Sequence, residues 1–90
     1  MARAGLDIIE LNAIPRRPGW SAWTLSGHHP ATRLEGTCYE VRRVRARREG
    51  IILWFWGRAG RPGGQRAEDL EAAQVAAEAA AAIDNTLRGL

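Results

Sequence analysis

Hydrophobic and polar positions follow two different periods along this chain. From Cys38 to Gly57 the pattern is that of a β-hairpin. A first strand, 38–47, reads Cys-Tyr-Glu-Val-Arg-Arg-Val-Arg-Ala-Arg, and Arg48 follows it. Glu49-Gly50 supplies a turn, and the return strand, 51–57, reads Ile-Ile-Leu-Trp-Phe-Trp-Gly. Ile51, Leu53 and Phe55 line one face of that return strand; Ile52, Trp54 and Trp56 line the other. In the first strand Tyr39 and Val41 share a face, whereas strict alternation puts Val44 opposite. A β-bulge near Arg42-Arg43 is therefore expected.

Around the hairpin the signals are shorter. Trp20 to Ser26 alternates as a strand, with Trp23 and Leu25 on one face and Trp20, Ala22 and Thr24 on the other. Gly27-His28-His29-Pro30 ends it, and a loop runs on to Gly36. Residues 6–12 suit an edge strand or a helical turn and are read as an edge strand. Pro15 to Gly19 breaks regular structure. Gly57 to Gln65 reads as a flexible connector, with loop over 58–66.

From 67 to 88 the period changes to that of a helix: strong helix formers, no proline, no interior glycine. Leu70, Ala73, Ala76, Ala77, Ala80, Ile83 and Leu87 form one stripe, with Glu71, Glu78 and Asn85 opposite. A mostly alanine stripe lets the helix sit close to a sheet, with Trp and Phe supplying the bulk. The expected fold is a single α+β domain over 1–90. A three- to four-stranded antiparallel sheet packs against one C-terminal α-helix, and its other face is left uncovered.

Composition adds an electrostatic argument. All thirteen basic residues are arginine, which reflects a GC-rich genome as much as a function. Residues 1–66 hold twelve arginines against five acids, a net of +7; residues 67–90 hold one arginine against five acids, a net of −4. Five of the seven residues from Arg42 to Arg48 are arginine. This two-pole field steers anionic partners to one side. One cysteine, Cys38, excludes an internal disulfide and fits a reducing cytoplasm. No signal-peptide run and no membrane span are read, so the expected location is the bacterial host cytoplasm.

Few arrangements suit catalysis or metal binding. His28, His29 and Cys38 lack any metal-ligand spacing. Cys38 with a histidine base lacks an orienting third group, and the glycine-rich connector lacks the Gly-Lys-Ser/Thr of a phosphate loop. No enzyme activity, cofactor or metal is expected. Arginine beside tryptophan is the one constellation with chemical content: arginine neutralises phosphate, tryptophan stacks on bases, and both anchor protein interfaces. The partner-binding residues read from the sequence are Arg42, Arg43, Arg45, Arg47, Arg48, Trp54, Trp56 and Arg58. A core role for the tryptophans with a solvated arginine face is the alternative.

A Gly36-Thr37 before Tyr39-x-Val41, a strand bearing Trp54 and Trp56, a glycine connector and the ending Leu70-Glu71-Ala72-Ala73 with Ala76-Ala77-Glu78 follow in order. Over about 20–85 this resembles small sheet-plus-helix proteins of phages, prophages and mobile elements of proteobacteria, among which several anti-CRISPR inhibitors share the size and layout. Two departures stand out: Arg66-Ala67 where a helix cap is usual, and a stronger arginine cluster. The resemblance implies an inhibitor of a host protein–nucleic-acid complex. Direct DNA or RNA binding by the sheet is the alternative, and a homodimer through an edge strand or the aromatic face is a third reading.

Overall fold

The computed structural model of the chain describes residues 3–46, 50–61 and 63–88. Its elements are α1 (Arg3–Ala13), β1 (Thr24–Ser26), β2 (His29–Arg33), β3 (Tyr39–Arg45), β4 (Ile52–Arg58), β5 (Gln65–Ala67) and α2 (Leu70–Arg88). The strands form one antiparallel sheet in the order β1-β2-β3-β4-β5. The chain is α+β, with five strands rather than three to four.

The hairpin is the centre of the sheet. β3 pairs with β4 in one unbroken register, from Tyr39 opposite Arg58 to Arg45 opposite Ile52. No bulge interrupts it, so the one expected at Arg42-Arg43 is absent and Val44 does lie on the face opposite Val41. The irregularity sits earlier. Trp20 bridges Leu34, whereas Thr24 pairs with Ala31. Four steps on one side therefore match three on the other, which inserts one extra residue between Trp20 and Thr24. That insertion corrects the alternation read over 20–26. Trp20 and Trp23 both turn to the helix side, and both are buried.

Two further strands flank the hairpin where loops were expected. β2 turns back from β1 over Gly27-His28. Gly27 has φ +66° and His28 is not in the positive region, the pattern of a hairpin turn with glycine first. Pro30 inside β2 hid this strand, since proline argues against an interior strand. β5 adds three residues beside β4, taking Gln65, Arg66 and Ala67 from the 58–66 connector and its boundary. At Gly64, φ is +115° and a Cβ would stand 2.9 Å from the Trp56 carbonyl oxygen, so glycine is what lets β5 approach.

Residues 6–12 belong to α1 and not to an edge strand. Ile8 and Leu11, three apart, pack on the core, and Pro15 ends the helix just beyond the Ile14 N–H to Leu11 C=O bond of 3.2 Å. Asn12 fixes the docking: its Oδ1 accepts from Trp23 N–H (2.8 Å) and its Nδ2 donates to Trp23 C=O (3.2 Å).

α2 starts at Leu70, three residues later than read. Its cap is Asp69, whose Oδ1 accepts from Ala72 N–H at 2.7 Å, so the missing cap at Arg66-Ala67 is found one turn on. The buried side of α2 carries Ala73, Gln74, Ala77 and Ala81, with Leu70, Ala80, Glu78 and Asp84 half-buried. Ile83 and Leu87 do not face the sheet; they are 60% and 64% exposed. Both helices cover one face of the sheet. The core there is Leu11, Trp20, Trp23, Tyr39, Val41 and the α2 alanines, with Trp54 and Trp56 packed against it. Neither helix is long and apolar enough to cross a membrane.

Candidate interaction surface

Strict alternation in β3 divides its arginines between the two faces. Arg43 and Arg45 share the helix face with Tyr39 and Val41; Arg42 lies on the other face with Glu40 and Val44. On the helix face the arginines are used inside the fold. Arg43 is 6% exposed and pairs with Asp7 of α1, which also receives Arg45 Nη2 at 3.3 Å. Among the described residues, Arg43 Nε has no hydrogen-bond partner. Arg58 lies 5.7 Å from the Tyr39 ring centroid and reaches Asp84 at 3.3 Å. Tyr39 Oη donates to the same carboxylate at 2.7 Å, and that bond holds the phenol above its ordinary 10.0.

In the middle of α2, Glu78 is the hub. It accepts from Arg17 Nε (2.7 Å), Arg17 Nη2 (3.0 Å) and Trp20 Nε1 (2.8 Å). The bond from Arg17 is the main cause of a carboxyl pKa below its ordinary 4.5; burial opposes it and Trp20 assists. A carboxylate with a depressed folded pKa favours folding when ionised. Its contribution is complete above about pH 4.5 and is lost as pH falls through the lower folded value. Between pH 6 and 3 the wild type should lose more thermal stability than Glu78→Gln. Equal losses in the two proteins would show that this contact contributes nothing to acid stability.

Of the residues read as partner-binding, Trp54 and Trp56 lie on the helix face. Trp54 is 6.1 Å from Trp23 and Trp56 is 6.3 Å from Tyr39, centroid to centroid. Arg43, Arg45 and Arg58 share that face, and Arg47 and Arg48 lie outside the described residues, as does Glu49 of the expected turn. Among the described ones, only Arg42 stands on the helix-free face. It is held there by Glu40 (3.2 Å) and by the Gly63 carbonyl (2.6 Å).

The pairing registers bring other residues beside it. Ala31 lies opposite Arg42, Arg42 opposite Phe55, and Phe55 opposite Arg66. One cross-strand row on the helix-free face therefore runs Ala31–Arg42–Phe55–Arg66. Arg33, opposite Glu40, stands in the next row. Arg33 and Arg66 are exposed, the Phe55 side is half-buried, and neither exposed arginine makes an ion pair among the described residues. Val44 and Leu53, also opposite one another, extend the apolar part of this face. Sequence reading missed Arg33 and Arg66 because both lie in strands it took for loops.

A cleft of about 470 Å³ lies on the helix side. Its apolar wall includes Leu11, Ile14, Trp20, Trp23 and Leu70, with Arg16, Arg17, Glu71 and Gln74 as polar groups. The one hydroxyl on that wall, Thr32 Oγ1, donates to Ser21 C=O at 2.6 Å. His29 and the exposed Cys38 sit toward opposite ends of the sheet, and among the described residues no three of His, Cys, Asp or Glu converge. No known family, curated protein or solved structure matches the chain.

Proposed function

We propose that this chain is a non-enzymatic binding module. Its helix-free sheet face docks on an anionic surface of a host protein–nucleic-acid complex and inhibits it. The observation that carries the reading is the row Arg42–Phe55–Arg66 with Arg33 beside it, on a sheet face that neither helix covers. Arginine and aromatic side chains together are the usual anchors of such interfaces. The inhibitory role comes from the resemblance to phage-borne inhibitors of similar layout. The binding surface moves from the Arg42–Arg48 strand to a row that crosses three strands.

Direct binding of single-stranded nucleic acid is the second reading. Phe55 between two arginine positions offers a ring for base stacking with cations on either side. One experiment separates the two. Wild type and Arg33→Ala/Arg66→Ala are titrated with labelled single-stranded RNA and duplex DNA at low and physiological salt, and both are used to capture complexes from host lysate. Weak nucleic-acid binding that vanishes with salt, with capture lost in the variant, is the expected result. Binding that survives physiological salt in the wild type, with a salt slope shallower by about 1–2 in the variant, favours direct binding. Undiminished capture by the variant removes the sheet face from the function.

A further inference from the structure

Gln74 stands on the buried side of α2 beside Ala73 and Ala77, where an apolar side chain would leave no polar group to satisfy. It is 7% exposed, and no group among the described residues hydrogen-bonds to its carboxamide. An amide buried without a partner costs free energy that nothing inside the fold returns. Among the described residues, the buried side-chain atom sealed off without a partner is Arg43 Nε, so the Gln74 amide keeps an opening. That opening is the cleft of about 470 Å³ whose wall it joins.

We infer that this cleft binds a small, neutral, flat heterocycle bearing a lactam edge, and that Gln74 reads that edge. A carboxamide shows N–H and C=O side by side, so it can meet a ligand C=O and N–H through two bonds at once. The size fits, since small-molecule sites run from about 300 to 1,000 Å³. The walls are already in place. Trp20 Nε1 is bonded to Glu78 at 2.8 Å, and the Trp23 backbone is clasped by Asn12. Pro15 and Pro18, both lining the cleft, fix φ on the connecting segment, so little freedom is lost on binding. Two buried indoles in the wall favour a flat ring as the occupant. Charge selects a neutral one. Arg17 is neutralised by Glu78 at 2.7 Å, and Arg16 and Glu71, both exposed, carry one charge of each sign. No net field therefore draws an ion in. Thr32 Oγ1 already donates to Ser21 C=O, so that hydroxyl offers the ligand no proton. The cleft is on the opposite side of the sheet from the row Arg42–Phe55–Arg66, and the inference is independent of the function proposed for that face.

The test is a titration of the full chain, labelled with nitrogen-15, by NMR. The probes are isoquinolin-1(2H)-one, a bicyclic lactam, and its N-methyl derivative, which lacks the N–H. The lactam should shift the Gln74 side-chain amide and the Trp23 indole signals in a saturable way, with a Kd of about 0.1–1 mM. The N-methyl probe should bind roughly tenfold more weakly, because it leaves the Gln74 carbonyl unpaired. In Gln74→Leu the two probes should bind equally. The comparison of probes on the wild type needs no variant, so it stands even if Gln74→Leu does not fold. Equal affinity of the two probes for the wild type overturns the inference. So does the absence of any saturable shift at Gln74 and Trp23, which would mean that the amide is satisfied by water alone.

Discussion

Replacing Asp7 with alanine should cost about 3–5 kcal/mol of folding stability, because it leaves a buried guanidinium without its counter-charge. The Arg43 side chain is 6% exposed and that of Asp7 13% exposed, and Arg43 Nε already lacks a partner among the described residues. For a domain of this size such a loss is a large fraction of the total. Arg43→Met should behave differently. It removes the buried charge with its desolvation cost, leaves Asp7 the Arg45 guanidinium at 3.3 Å as counter-charge and puts an apolar chain opposite Trp54, so its stability should lie within about 1–2 kcal/mol of the wild type. The double variant Asp7→Ala/Arg43→Met should recover most of what Asp7→Ala loses. Urea denaturation of the four proteins decides this: a double variant no more stable than Asp7→Ala would mean that Asp7 acts through α1 itself, not through Arg43.

Trp23→Ala should lose about 3–5 kcal/mol, the usual cost of emptying a core tryptophan site. Trp23 is 5% exposed and packs near Trp54, while its backbone is clasped by Asn12 of α1. In a thermal melt the loss corresponds to a fall of roughly 15 °C or more. Partner capture by the fraction that remains folded should be unchanged. The opposite pattern, full stability with capture abolished, would make this tryptophan an exposed anchor, the role the sequence suggested for tryptophans as a class.

The contrast between these side chains and the hairpin shows how far local pattern reaches. Antiparallel pairing of 39–45 with 52–58 was legible because a run of β-branched and aromatic residues follows a basic run across a short turn, and every contact involved is near in sequence. The C-terminal helix was equally legible from its formers, and its close approach to Trp54 and Trp56 follows from its alanines. Residues 6–12 were ambiguous for a physical reason. A short apolar run satisfies strand and helix periods alike, and what selected the helix was a place for Leu11 and Asn12 against Trp23.

Three features were decided by tertiary structure alone. The extra residue between Trp20 and Thr24 depends on the partner strand β2, and it puts Trp20 and Trp23 on one side where alternation puts them on two. The arginine cluster lost its apparent unity because alternation splits it and Asp7 and Glu40 claim its described members, Asp7 from a distant helix. The rotation of α2 was set by Glu78 and Asp84 finding Arg17, Trp20, Tyr39 and Arg58, partners 26 to 61 residues away. The sequence by itself determined that a basic hairpin and an acidic, alanine-rich helix would pack together. Which charges meet, and so which surface is left for a partner, followed only from three-dimensional closure, since ion pairs and hydrogen bonds depend on distance in space and leave no period in the chain.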